Sequence, residues 1–183
     1  WIKKQIEKFQ HQARSTKRQY VSGETLFIWG KQYYLSFQPN SQKNGFEIKG
    51  DKVILSMREE STVKQRENYV REQYRILLKA EIERLLPKWE RLTELYCDSW
   101  QTKYMLTRWG TCNTEKKKLW FNLQLAQKPI ECLEYVILHE LLHLKERTHN
   151  SVFISCMDLY MKDWRAVRKE LNDLRLDYYN KVE

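Results

Sequence analysis

Apolar residues at helical spacing organise two parts of the chain. Over residues 61–95, Val63, Val70, Tyr74, Leu77, Leu78, Ile82, Leu85 and Leu86 mark one stripe. The stripe predicts a long helix with a charge-rich outer face turned to solvent. Ser61 or Thr62 suits its N-cap, and Pro87 is expected to end or kink it, with Trp89, Leu92 and Leu95 continuing a second short helix. The second part follows Pro129, which suits a first helical turn. There Tyr135, Val136, Ile137, Leu138, Leu141, Leu142 and Leu144 make the pattern apolar nearly all round, so this helix is expected to be buried. Shorter helices are predicted over 1–14 (Ile2, Ile6 and Phe9 on one side), from Asn150 or Ser151 through Met161 with Val152, Phe153 and Cys156 inward, and from Asp163 toward the charged stretch Asp177 to Glu183.

Between these helices the residue types change. Thr25 to Trp29 and Gln32 to Gln38 are rich in β-branched and aromatic residues and meet at Gly30-Lys31; Phe46 to Lys49 and Lys52 to Met57 flank Gly50-Asp51. Two hairpins follow from that pattern, and so small a sheet must pack on something else. Lys103 to Cys112 and Leu119 to Leu125 read as two more strands joined through the polar tip Asn113 to Lys118.

The buried helix carries unexpected polar chemistry. His139, Glu140 and His143 form H-E-x-x-H, and His149 follows six residues later; the chain has only 4 histidines. Positions i and i+4 share a helix face, so His139 and His143 can aim two imidazoles at one point. Glu140 is displaced from His139 by about 100° around the axis, near a metal without having to be a ligand. Such a motif can arise on a solvated face by chance. On an apolar helix two histidines and a glutamate are costly unless something satisfies them, and a metal does so. His149 is a candidate third ligand, or else an exposed loop histidine. Three histidines and a water would fit a catalytic zinc shell.

Composition narrows the class. Net charge is +9, which favours polyanionic partners such as nucleic acid, nucleotides or acidic membranes, or reflects a merely basic surface. Aromatics at 13% mark a folded chain, and 5 Gly with 3 Pro leave little room for flexible linkers. Cys97, Cys112, Cys132 and Cys156 lie far apart without a C-x-x-C, which is neither a disulfide framework nor a zinc ribbon and suits a reducing cytosol. No apolar run reaches transmembrane length and no signal peptide is visible, so a cytoplasmic location and no membrane association are expected. The chain begins at Trp1 rather than Met, as a trimmed piece of a longer protein would.

Taken together, Arg108-Trp109-Gly110-Thr111-Cys112, Asn122-Leu123, Tyr135-Val136 with His139 to Glu146 and His149, then Phe153 and Asp163-Trp164-Arg165, resemble the YgjP-like metal-dependent hydrolases, a zincin-like metallopeptidase-domain family. Trp1-Ile2 and Tyr20 to Glu24 resemble the family's earlier segments, so the likeness covers most of the chain. Thr111 stands where the family typically has Ser. The strand-rich segment that usually precedes the Trp-Ile position is not in this sequence, so the N-terminal sheet is expected to be incomplete. The resemblance implies zinc ligands at His139, His143 and His149 and a catalytic Glu140. The His149 spacing also equals that of metzincins, which have Gly where Glu146 stands here; Met157 and Met161 fit helical core packing better than a Met-turn.

The expected fold is therefore α+β and zincin-like, with small antiparallel sheets against a helical core carrying the His-Glu helix. Residues 1–60 form an N-terminal helix and hairpin lobe, and residues 61–183 the hydrolase domain. The expected function is a zinc-dependent hydrolase of metallopeptidase type, with a metal-activated water and Glu140 as general base. Two alternatives stand beside it. One is hydrolysis of nucleoside triphosphates to release pyrophosphate, an activity the resemblance also allows; the other is a nucleic-acid-binding module with structural zinc, with weak nonspecific binding to nucleic acid. Arg108 is a candidate for holding an anionic group of the substrate, or a surface salt bridge. Asn122 is a candidate for hydrogen-bonding a substrate, or a turn-stabilising amide. Cys112 is a packing residue or a soft ligand.

Overall fold

The long apolar stripe forms one helix, α1 (Val63–Thr93), in the computed structural model, which describes residues 18–39 and 42–173. The helix expected over 1–14 and the charged stretch from Asp177 lie outside the described residues. Thr62 starts α1 through a capping box: its hydroxyl accepts from the Gln65 N–H, and the Gln65 side chain accepts from the Thr62 N–H at 2.8 Å. The expected break at Pro87 does not occur, and no second short helix begins at Trp89. Pro87 lies on the exposed side, where the carbonyl it leaves without an N–H partner can meet water. Leu85, Leu86 and Trp89 are buried around it and hold the helix in line to Thr93.

Two small sheets flank α1. The first has strands β1 (Thr25–Ile28), β2 (Lys31–Pro39), β3 (Gly45–Lys49) and β4 (Lys52–Met57) in the order β1-β2-β4-β3. Its two antiparallel hairpins are those the sequence predicts. They join, however, through a parallel pairing of β2 with β4, Leu35 opposite Val53 and Phe37 opposite Leu55. The second sheet has β5 (Ser99–Lys103), β6 (Gly110–Asn113) and β7 (Lys118–Asn122) in the order β5-β7-β6, with β5 parallel to β7 and β6 antiparallel to it. The fold is α+β as expected, and each of its small sheets adds a parallel pairing to its antiparallel ones, so both are mixed.

Two strand assignments change as well. Lys103 to Cys112 is not one strand; β5 ends at Lys103, residues 104–109 are irregular, and β6 starts at Gly110. Asn122 explains the irregular stretch. Its side-chain amide donates to the Met105 and Arg108 carbonyls at 2.9 and 2.7 Å, and its oxygen accepts from the Met105 N–H at 3.3 Å. Leu119 to Leu125 is not one strand either, because β7 ends at Asn122 and Leu123–Gln127 form a 3-10 turn. The Asn122 oxygen also accepts from the Gln124 N–H and so starts that turn.

These elements converge on helix α2 (Ile130–Leu142), which carries the His-Glu motif and packs against α1, the 3-10 turn, β6 and β7. Two further helices, α3 (Ser151–Tyr160) and α4 (Trp164–Asp173), cover it from the other side. The first sheet reaches this centre through its hairpin tip. Trp29 and Gly30 both have positive φ, as a two-residue primed turn requires, and their N–H groups donate to the Ala126 and Gln127 carbonyls at 2.9 and 3.3 Å. Gly30 lies so close to Pro129 that a Cβ there would meet the proline ring at 2.9 Å. The hairpin tip therefore braces the turn from which α2 starts. One apolar core runs from Leu26 and Leu55 through Leu78 and Ile82 to Leu138 and Leu171.

Candidate metal centre

His139 and His143 sit one helical turn apart on α2, and His143 is its C-cap. The chain then turns through bonds from the Leu144 N–H to the Leu141 carbonyl and from the Lys145 and Glu146 N–H groups to the Leu142 carbonyl. No residue from 144 to 149 takes a positive φ, so this turn needs no glycine where Glu146 stands. It delivers His149 back onto His139: their Nε2 atoms are 3.0 Å apart, and the Nε2 atoms of His143 and His139 are 3.2 Å apart.

His143 also fixes its own tautomer. Its Nδ1 lies 3.0 Å from the Glu146 carbonyl oxygen, an acceptor only, so Nδ1 carries the proton and a neutral ring has its Nε2 lone pair free. Phe153, fully buried in α3, lies under all three rings with centroid distances of 5.0, 5.0 and 4.8 Å. Asn150 positions it by accepting from the Phe153 N–H at 3.1 Å, one residue after His149. Behind His139, Tyr135 lies 5.7 Å away, and its ring stacks on Trp164 of α4 with planes 3° apart.

Three imidazole nitrogens this close repel one another unless a proton or a cation lies between them. Protonation is disfavoured: burial first, and then the neighbouring histidines, hold His139 well below the usual imidazole range. Burial likewise depresses His143 and His149. A metal ion meets the same need without adding protons, and the three ligand atoms all lie within 4.8 Å of one another. For a tetrahedral ion with zinc-like bonds, neighbouring nitrogens should stand about 3.3 Å apart, close to the two separations observed. The residues present fit a metal ion. Cys112 is outside that cluster among the described residues; burial and the charge of Glu140 push its thiol up to about 11.

Glu140 packs against β6. It is 6% exposed, and its carboxyl rests on the backbone of Gly110, where a Cβ would come within 2.6 Å of Oε1. Burial raises its pKa to about 8, against the lowering pull of the Arg108 guanidinium. Arg108 itself is exposed, on the irregular stretch that leads into β6. Asn122, 2% exposed, has its amide occupied by the backbone of residues 105, 108 and 124, so a direct contact with a substrate would have to break those bonds.

Sequence reasoning missed three features of this centre. Gly110 was read only as part of a motif, yet it makes room for a carboxylate from another element. Phe153 was read as core, yet it is the apolar floor of the histidines. Arg168, one turn after Trp164, was not singled out, although its charge acts on both His139 and His149. None of the three has a local signal, because each depends on what packs opposite.

No curated protein matches the chain. Among the described residues no helix is long and apolar enough to cross a membrane. The family model of the YgjP-like metallopeptidase domain matches residues 1–174, and with a histidine cluster able to hold a metal ion at the heart of that span, the chain belongs to the YgjP-like metallopeptidase family.

Proposed function

We propose that the protein is a zinc-dependent hydrolase of the metallopeptidase type, with His139, His143 and His149 as the ligands and Glu140 as the general base. The observation that carries this reading is the convergence of three imidazoles, from α2, its C-cap and the turn that follows, beside a buried carboxyl of α2. A zinc ion held there supplies Lewis acidity, lowers the pKa of a water beside it, and draws the Glu140 carboxyl toward its ionised form.

The chain's own residues do the rest. Glu140 accepts one proton from the attacking water at a carboxylate oxygen, while the water oxygen bonds to the scissile carbonyl carbon. The same carboxyl then donates that proton to the leaving nitrogen as the carbon–nitrogen bond breaks. Gly110 keeps the carboxyl in place, and Phe153 shields the ligand face from water. Arg108 holds an anionic group of the substrate, while Asn122 serves substrate binding by shaping the stretch from which Arg108 projects. In this reading the domain of residues 61–183 carries the chemistry, and within the lobe of residues 1–60 the described hairpin tip at Trp29 and Gly30 braces it. Peptide hydrolysis is favoured over pyrophosphate release because no glycine-rich phosphate loop is present in the sequence. A structural zinc would call for a fourth protein ligand, and the cluster among the described residues has three.

A defined peptide mixture and the nucleoside triphosphates, each incubated with the zinc-loaded and the chelated protein, test this. Peptide cleavage that stops on chelation and returns with zinc is expected. Release of pyrophosphate with intact peptides would instead establish the nucleotide alternative.

A further inference from the structure

The second sheet buries one face and turns the other away from the core. Leu119 and Phe121 of β7 are fully buried, and the register sets Gly110 opposite Phe121, on the side where Glu140 packs. The alternate residues form the outer face. Gln101, Trp120 and Thr111 make its middle row, and Ser99, Lys118 and Asn113 the row beside it. Lys103 stands at the end of β5, two positions beyond Gln101. Trp120 is thus bracketed by Lys118 before it and Lys103 beyond it, each about 7 Å away along the strand direction.

That is an uncommon place for a tryptophan of this chain. Trp29, Trp89, Trp100, Trp109 and Trp164 lie in the apolar core or pack against it, whereas Trp120, half-buried in its sheet, is not part of it. The Lys118 ammonium lies over its ring, 5.1 Å from the centroid. The charge around the ring is one-sided. Residues 99–128 hold 6 Lys and Arg against one acid, Glu115, and so carry more than half of the net charge of +9. Of these, Lys103 and Lys118 are on the outer face, and Lys116 and Lys117 are at the hairpin tip that leads into β7. None of the four makes an ion pair with a described residue. Asp98, the acid just before β5, lines a cavity with Glu83, Glu90 and Trp100, and Trp100 pairs with Leu119 on the buried face.

A half-exposed indole offers a π-face, and the lysines beside it offer cations. Unpaired bases answer both, with rings to stack and phosphates between them. A duplex keeps its bases inside the stack, and a run of carboxylates supplies charge alone. We propose that this sheet face binds a single strand of nucleic acid, one base stacked on Trp120 and the flanking phosphates held by Lys103, Lys118 and the lysines of the hairpin tip. The surface lies on the other side of the sheet from Glu140, so it anchors the protein to a polyanion without occupying the metal centre. It stands independently of the hydrolase reading.

The zinc-loaded protein is titrated against a fluorescein-labelled oligothymidylate of about ten nucleotides, the blunt duplex of the same length and labelled polyglutamate, at about 50 and about 200 mM salt. The single strand is expected to bind at least about fivefold tighter than the duplex, and polyglutamate more weakly than either. Trp120→Ala should weaken single-strand binding about tenfold or more with the salt slope unchanged, because stacking releases no counterion, and Trp120→Phe should keep most of the affinity. Lys103→Gln combined with Lys118→Gln should instead flatten the salt slope, by about 0.7 for each lysine. Zinc content and cooperative thermal unfolding, measured alongside, should be retained in these variants. No measurable binding at the lower salt, a duplex or polyglutamate bound as tightly as the single strand, or a Trp120→Ala protein that binds like the parent would overturn the proposal. Should Trp120→Ala lose its fold, the lysine pair decides, and an unchanged salt slope there overturns it. The face holds no metal ligand, so a chain that binds no zinc is titrated in the same way and the metal-centre reading fails separately.

Discussion

At the scale of single residues, the centre depends on one missing side chain. Gly110 has an ordinary backbone φ, so alanine is conformationally allowed there; what forbids it is the Glu140 carboxyl in the space a Cβ would take. Gly110→Ala therefore has to push the carboxyl aside by about 1 Å, a shift that typically costs about 100-fold in rate. Turnover should fall by that order while zinc content stays at the parental level, since no histidine is displaced. Parental kcat in Gly110→Ala would show that Glu140 need not sit where it does. The histidines were legible in the sequence because i, i+4 spacing is a property of any helix. Glycine at 110 was not interpretable there, since its reason lies on an element some thirty residues later.

Among the elements, two N-caps separate stability from metal binding. Thr62 opens α1 by a reciprocal capping box, far in sequence from the histidines, whereas Asn150 opens α3, next to His149 and under the control of the same turn. Thr62→Ala and Asn150→Ala should each cost about 1 kcal/mol, seen as a drop of roughly 2–4 °C in Tm. Only Asn150→Ala should also weaken zinc binding, by about 10-fold or more, because α3 carries Phe153 against the three rings. Equal zinc affinity in the two variants would contradict the role given to α3. Cap residues, apolar stripes and primed turns are local, and they could be read directly from the chain. Strand pairing is not. Nothing in residues 31–57 says that β2 and β4 lie side by side in parallel, and Pro87 could be judged harmless only once Leu85, Leu86 and Trp89 were seen buried around it.

For the whole molecule, the metal-free chain should be least comfortable at both ends of the neutral range. Glu140 has its pKa raised from 4.5 to about 8, so between those values the folded chain holds a proton that the unfolded chain releases. Its contribution to stability is thus lost as pH rises toward 8, by about 1.4 kcal/mol per pH unit. The three histidines are lowered from 6.5, so below that pH the unfolded chain takes up protons that the folded chain refuses, and stability falls as pH falls. Thermal unfolding in chelator should show the parent losing stability from pH 6.5 to pH 8 while Glu140→Gln does not. A constant Tm difference between the two proteins across that range would contradict the buried, raised carboxyl. The polar cost of this core is the counterpart of its fit to a cation: the ion offsets what folding alone leaves unpaired.

The most direct test of the account is turnover by Glu140→Gln beside its zinc content. Glutamine keeps the shape and the packing on Gly110 but cannot accept the water's proton, and His139, His143 and His149 remain. We expect a folded protein with about one zinc per chain and a rate lower by roughly 100- to 10,000-fold, on whichever substrate the parent hydrolyses. A zinc-loaded Glu140→Gln that turns over at the parental rate would show that Glu140 is not the base.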